Sequence, residues 1–118
     1  MILVDTSVWV DHFAHGNARL VGALDRNEVF SHPFVIGELA CGNLRNRAEV
    51  LYLLSRLPRA PVATDDEVLG LVERRSLMGR GIGWVDAHLL ASTLLSPGVR
   101  LETRDRRLSE VAGSLGIG

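Results

Sequence analysis

The chain has 118 residues, 47% hydrophobic and 23% charged, which is the balance of an ordinary globular protein with enough length for one core. With 13 basic and 14 acidic residues the formal charge is −1, so any binding of nucleic acid has to come from a local patch and not from a basic domain. Every basic residue is an arginine, which removes P-loop and Schiff-base lysine chemistry, and the single cysteine, Cys41, removes an intramolecular disulfide and a cysteine zinc site.

At the start of the chain no basic region precedes an apolar run, and residue 5 is already Asp. The apolar stretches elsewhere fall well short of the ~20 residues that span a bilayer. The expectation is a cytoplasmic protein with no membrane association. Short apolar runs alternate with helical periods, without repeats or linkers. That alternation predicts one α/β domain over residues 1–118, built on a parallel sheet.

Ile2-Leu3-Val4 reads as a buried first strand, closed by Asp5, with Thr6 or Ser7 able to cap the helix that carries Val8, Trp9 and Phe13 and ends at Gly16. A second helix is predicted over Ala18–Asn27 from Leu20, Val21 and Leu24, followed by a short strand at Val29-Phe30-Ser31. Pro33 opens a helix to Cys41, in which the cysteine reads as a small buried or half-buried hydrophobe. Arg47–Leu57 is helical and apolar at Val50, Leu51, Leu53 and Leu54, until Pro58 stops it. Those four residues leave few polar positions on the helix and predict a homodimer. Pro61-Val62-Ala63 is a third strand candidate. Thr64 and Glu67 form a capping box for a helix to about Met78, with Asp65 and Asp66 serving its start. Gly79, Gly81 and Gly83 punctuate a loop. Trp84–Leu95 is strongly helical, Val99–Glu102 is the last clear strand, and Asp105–Gly113 the last helix. The chain stops soon after Leu115-Gly116-Ile117, so a further edge strand is expected to be absent or very short.

Four carboxylates stand apart. Asp5 and Asp105 follow strands, at the carboxyl ends where parallel sheets bind ligands, while Glu38 and Asp86 interrupt apolar helices that can point at the same cleft. Singly each has a plain structural reading: a helix cap for Asp5 or Asp105, a dipole-favoured charge for Asp86, a solvated helix position for Glu38. Together in one cleft they would repel one another, and a divalent cation relieves that conflict. An oxygen-only donor set favours Mg²⁺ or Mn²⁺ over zinc, and such ions retain waters, one of which can attack a phosphodiester. Thr6, Ser7 and Thr103 are placed to orient a carboxylate or to bind a water or phosphate. His88 lies about 200° around the helix from Asp86 and reads as structural or solvent-facing, not as a ligand, and His12, His15 and His32 show no ligand spacing.

The same segments resemble the PIN-domain family. Met1-Ile2-Leu3-Val4-Asp5-Thr6-Ser7-Val8-Trp9 is similar to the family's opening, Ile36-Gly37-Glu38-Leu39-Ala40-Cys41-Gly42 to its second motif, Gly83-Trp84-Val85-Asp86-Ala87-His88-Leu89-Leu90-Ala91 to its third and Leu101-Glu102-Thr103-Arg104-Asp105-Arg106-Arg107-Leu108 to its fourth. The resemblance covers nearly the whole chain, and short members of this kind are typically VapC toxins of toxin–antitoxin pairs. It implies an α/β/α sandwich and a Mg²⁺- or Mn²⁺-dependent endoribonuclease. Asp5 and Asp86 would bind metal, and Glu38 and Asp105 would complete the catalytic set. It further implies a homodimer, and a cognate antitoxin that blocks the site.

Arg104, Arg106 and Arg107, beside Asp105, are candidates for RNA phosphate contacts, as are Arg74, Arg75 and Arg80 near the glycine loop. A haloacid-dehalogenase-type phosphatase would need a second Asp where Ser7 stands, and a response-regulator receiver would need a lysine. The alternative from another class is a catalytically silent PIN-fold module that binds RNA or protein.

Overall fold

A computed structural model describes residues 1–118. Its elements run β1 (Ile2–Val4), α1 (Thr6–His15), α2 (Ala18–Asp25), β2 (Val29–Phe30), α3 (Pro33–Ala40), α4 (Arg47–Arg56), α5 (Asp65–Arg74), α6 (Trp84–Leu94), β3 (Arg100–Glu102) and α7 (Arg106–Ser114). The sheet is parallel throughout, in the order β2-β1-β3. The first strand therefore lies in the middle, with Leu3 paired to Phe30 on one side and Leu101 on the other. Leu3 and Val4 are fully buried because a central strand of a parallel sheet has both faces covered. The chain leaves β1 toward one neighbour and returns later to the other, so the crossovers diverge at the carboxyl end of β1. That divergence opens the crevice in which such sheets hold their ligands.

The most deeply buried helix is α6. Residues Ala87 to Thr93 are all buried, since this helix is enclosed between β3 and α5. Its two buried hydroxyls have partners: Thr93 donates to the Leu89 carbonyl at 2.7 Å, and Ser92 meets His32 Nε2 at 3.1 Å. A helix buried on all sides is expected to read as an unbroken apolar run, as Leu89-Leu90-Ala91 does.

Several local expectations change. Residues 61–63 form no strand. The segment just before them, Pro58–Ala60, extends the sheet edge through a single bridge between Ser31 and Arg59, with Ala60 N–H donating to the Ser31 carbonyl at 2.9 Å. Pro61 has no N–H for the next rung, so the pairing stops there. The helix begun by the Thr64–Glu67 capping box ends at Arg74, not Met78, because Ser76 turns to a φ of 52°. Cys41 is exposed: it is the C-cap of α3 and projects beyond the packed turns. Asp5 itself, not Thr6 or Ser7, caps α1, accepting from the Thr6 N–H at 2.8 Å. Beyond β3 the tail forms no further strand, but the Ile117 carbonyl takes the Leu101 N–H at 2.7 Å.

His32 is fully buried and caps α3, its Nδ1 accepting the Phe34 N–H at 3.0 Å. That fixes the proton on Nε2, toward Ser92. Burial, then the neighbouring His88, then Arg59 lower its pKa from 6.5 to about 4. The fold thus prefers the neutral ring. This stability is complete above the unfolded value and drains away as pH falls from 6.5 toward about 4. Urea unfolding at stepped pH is expected to show His32→Asn, which retains a capping oxygen, with a shallower acid loss than the parent by up to ~1.4 kcal/mol per pH unit. Equal slopes would show that His32 does not titrate with unfolding.

Candidate active site

The crevice at the end of β1 collects side chains from four places in the chain. Asp5 is buried, only 7% exposed, and is the most firmly held. Its Oδ1 accepts from the Thr6 N–H at 2.8 Å, and its Oδ2 accepts from two hydroxyls, Ser7 Oγ and Thr103 Oγ1, both at 2.8 Å. Each hydroxyl also takes a backbone N–H from the turn after β3: Arg104 N to Ser7 Oγ and Asp105 N to Thr103 Oγ1, both at 3.0 Å. The hydroxyls therefore act as relays that fix the β3–α7 turn against Asp5. Backbone pairing supports the same junction, with Asp5 N–H donating to the Glu102 carbonyl at 2.9 Å.

Glu38 lies one turn from the end of α3 and is oriented by Thr6, whose hydroxyl donates to Oε1 at 2.7 Å. Asp86 is the third residue of α6, and its Oδ2 reaches back to the Gly83 N–H at 2.9 Å. Asp105 caps α7, its Oδ1 accepting from the Leu108 N–H at 3.0 Å. Thr6, Ser7 and Thr103 thus do orient carboxylates. Glu38, Asp86 and Asp105 each give one oxygen to the protein and keep the other free of protein partners.

Asp86 lies within reach of the charges of the other three carboxylates. The Asp86 carboxyl is raised above the ordinary range, first by burial and then by the negative charges of Asp5, Asp105 and Glu38, against the lowering effect of the Gly83 N–H. No three acidic or histidine side chains close into a ready ligand cage, however. Like charges do not draw together unaided, so the arrangement is an open acidic crevice. The largest cleft, about 470 Å³ and lined by Val10, Phe13, Leu44 and Val50 among others, lies elsewhere, between α1 and the start of α4.

The arginine candidates divide. Arg104, Arg106 and Arg107 are all exposed, but Arg104 faces Asp11 at 3.6 Å and Arg107 lies across Gly81, so closely that a Cβ there would sit 2.5 Å from its Cδ. Arg106 makes no ion pair. His88, read as structural or solvent-facing, is structural and buried: its Nε2 lies 3.2 Å from Asp65 Oδ1, while its Nδ1 has no partner. A column of rings running His32–Phe34–His88–Trp84 was not legible as a unit, since its members come from two distant segments that share no motif.

A parallel α/β domain with an acidic crevice at its topological switch point is an architecture in which a divalent cation could assist phosphodiester hydrolysis. The chain belongs to the PIN-domain family, whose model matches residues 2–114. It is also 53% identical, over 99% of its length and 94% of the relative's, to Ribonuclease VapC32 of Mycobacterium tuberculosis, in both strain CDC 1551 / Oshkosh and strain ATCC 25618 / H37Rv. No helix is long and apolar enough to cross a membrane.

The raised Asp86 pKa carries a sign. The fold disfavours its ionised form, so the stability present below the unfolded value is lost as pH rises through the raised one. In chelator at pH 7, Asp86→Asn, which preserves an acceptor for the Gly83 N–H, is expected to melt a few degrees higher than the parent. The gain should shrink as pH falls toward 4 and reverse in order when millimolar Mg²⁺ stabilises only the parent. Scanning calorimetry with and without Mg²⁺ checks this. A lower melting point for the variant in chelator would contradict a shared acidic crevice.

Proposed function

We propose that this chain is a divalent-metal-dependent endoribonuclease and the toxin of a VapBC-type toxin–antitoxin pair, acting in the cytoplasm on RNA. One observation carries the reading: the fold gathers Asp5, Glu38, Asp86 and Asp105 from distant segments into one crevice, where burial first and then the other three carboxylates raise the Asp86 carboxyl. Such a set fits Mg²⁺, with Mn²⁺ a plausible substitute, because every donor is an oxygen and three of the carboxylates keep one oxygen free. Asp5 and Asp86 would hold the ion, and Glu38 and Asp105 would complete the catalytic set. When bound, the ion offsets the crevice's negative charge, lets a phosphodiester approach, and lowers the pKa of an attacking water.

The remaining work falls to the chain's own groups. Ser7 and Thr103 hold Asp5 in one rotamer, and the Thr103 hydroxyl links that rotamer to the position of Asp105. Thr6 aims Glu38. The first turn of α7 presents the positive end of its dipole beside Asp105, and Arg104, Arg106 and Arg107 bring cations to the RNA backbone on that side. Identity to a protein named a ribonuclease supports the substrate class, and resemblance to VapC toxins supports a cognate antitoxin that blocks the crevice. Of the four apolar α4 residues from which a homodimer was expected, Leu54 is buried and Val50 and Leu51 pack against the core, so exposed Leu53, with Tyr52 beside it, is what supports a homodimer. Light scattering at tens of micromolar is expected to give twice the mass of one chain, and a monomer mass would remove the dimer.

Total RNA incubated with the protein is expected to yield discrete cuts with Mg²⁺ and none in chelator. Asp5→Asn, Glu38→Gln and Asp86→Asn should each lower kcat by about 100-fold or more on a defined substrate, with circular dichroism unchanged. Thr103→Val, which breaks the relay without touching a carboxylate, should cost about 10-fold, and Thr103→Ser should restore most of it. Folded carboxylate variants that cut at the parent rate would rule those residues out of the mechanism.

A further inference from the structure

Residues 78–82, in the glycine-rich loop that leads into α6, have no backbone hydrogen bond to any helix or strand. Packing holds the loop instead. On one side Ile82 packs against the core. On the other lies Arg107. A Cβ at Gly81 would sit 2.5 Å from its Cδ, 2.7 Å from its Nη1 and 3.0 Å from its Nε, so the side chain passes over the Gly81 backbone from stem to guanidinium. Gly81 has a φ of 81°, and only a residue without a Cβ permits so close a passage at that angle. No carboxylate stands within ion-pair distance of Arg107, so charge pairing does not account for where the side chain lies. Both ends of the contact lead to the acidic crevice. Arg107 is the second residue of α7, whose N-cap is Asp105. Two residues beyond Gly81, the Gly83 N–H donates to Asp86 Oδ2 at 2.9 Å, and Asp86 feels the charge of Asp105. The contact therefore closes a ring, from Asp105 to Arg107 along α7, across to Gly81, along the loop to Gly83, and on to Asp86. Mutual repulsion pushes the two carboxylates apart, and a closed ring of contacts resists that push.

We propose that Arg107 is a positioning residue: its side chain clamps the loop before α6 onto the start of α7 and so fixes Asp86 relative to Asp105. The assignment rests on the ribonuclease reading above and deepens it, because it divides the arginine into two parts. The guanidinium brings a cation to the RNA backbone, and the aliphatic stem over Gly81 holds the geometry of the crevice. The second part needs no charge, and this separates it from an electrostatic contact with RNA.

Two measurements test it. Arg107→Ala removes both parts, whereas Arg107→Met retains a stem over Gly81 and loses only the charge. In steady-state cleavage of one defined RNA with Mg²⁺, both variants are expected to show the same rise in KM, about two- to three-fold, and the same flatter salt dependence. Only Arg107→Ala should also lower kcat, by about 10-fold. Gly81→Asn, a residue type that tolerates positive φ, should displace the stem and lower kcat as Arg107→Ala does, and combining the two should add little. Equal kcat for the alanine and methionine variants would overturn the proposal, as would additive losses in the double variant. Separately, in chelator, amide exchange followed by NMR should show the Gly83 N–H exchanging with solvent several-fold faster in Arg107→Ala than in the parent or Arg107→Met. Gly81→Asn gives the same readout if alanine loosens the whole fold. Parent-like exchange at Gly83 in these variants overturns the clamp whether or not the protein cuts RNA. Faster exchange in a protein that does not cut RNA with Mg²⁺ would uphold the clamp and defeat the nuclease reading instead.

Discussion

Asp5 is the constraint on which the rest of the crevice depends. A buried carboxylate at the end of a central strand would be expensive if its oxygens lacked partners, and here an N–H and two hydroxyls supply them. Because each hydroxyl also takes an N–H from the turn after β3, the charge of Asp5 joins two ends of the chain almost 100 residues apart, as the Thr103 contact shows with its separation of 98. The sheet supplies the approach: β1 in the centre brings the start of the chain beside β3 and leaves the crossovers on opposite sides. Without that order the carboxylates of the first and last motifs would not share a crevice.

Three of the four carboxylates also hold the start of a helix. Asp5 meets the first N–H of α1, Asp105 caps α7, and Asp86 reaches back to the residue before α6. The plain structural reading of each and its proposed chemical role are therefore compatible, because a carboxylate has two oxygens. One satisfies a helix N–H, and for Asp86 and Asp105 the other stays free. The helix dipoles offset part of the repulsion among the anions. The Asp86 carboxyl is still raised, first by burial and then by the charges of Asp5, Asp105 and Glu38.

On the basic side, the arginines are less available than their number suggests. Arg19 pairs with Glu102, Arg26 with Glu28, and Arg104 with Asp11, while Arg47 donates to carbonyls at the end of α3 and Arg100 to the chain's last carbonyl. With a net charge of −1, attraction to a polyanion is local. It falls to a few exposed guanidinium groups around α7 and the glycine loop.

Much of this was legible in the chain alone. Ile2-Leu3-Val4 and Leu89-Leu90-Ala91 are apolar without alternation, and only elements covered on both sides read that way. The caps announce themselves locally, as Thr64 and Glu67 do, because a cap is satisfied within four residues. Asp5, Glu38 and Asp86 stood out because each interrupts or ends an apolar run, a placement that burial penalises unless something is gained, whereas Asp105 stood out only by following the last strand. Other features were decided only by the tertiary structure. Residues 61–63 have the composition of a strand but no partner edge, since Pro61 cannot donate and the bridge to Ser31 is completed just before it. Cys41, flanked by apolar residues, is exposed because its helix ends there. The pairing of Thr103 with Asp5, the column from His32 to Trp84 and the lock of Arg107 over Gly81 join segments tens of residues apart. Spacing along a chain reports periodicity, which short-range geometry sets; which distant side chains meet is set by strand order and helix packing, and these exist only once the whole core has formed.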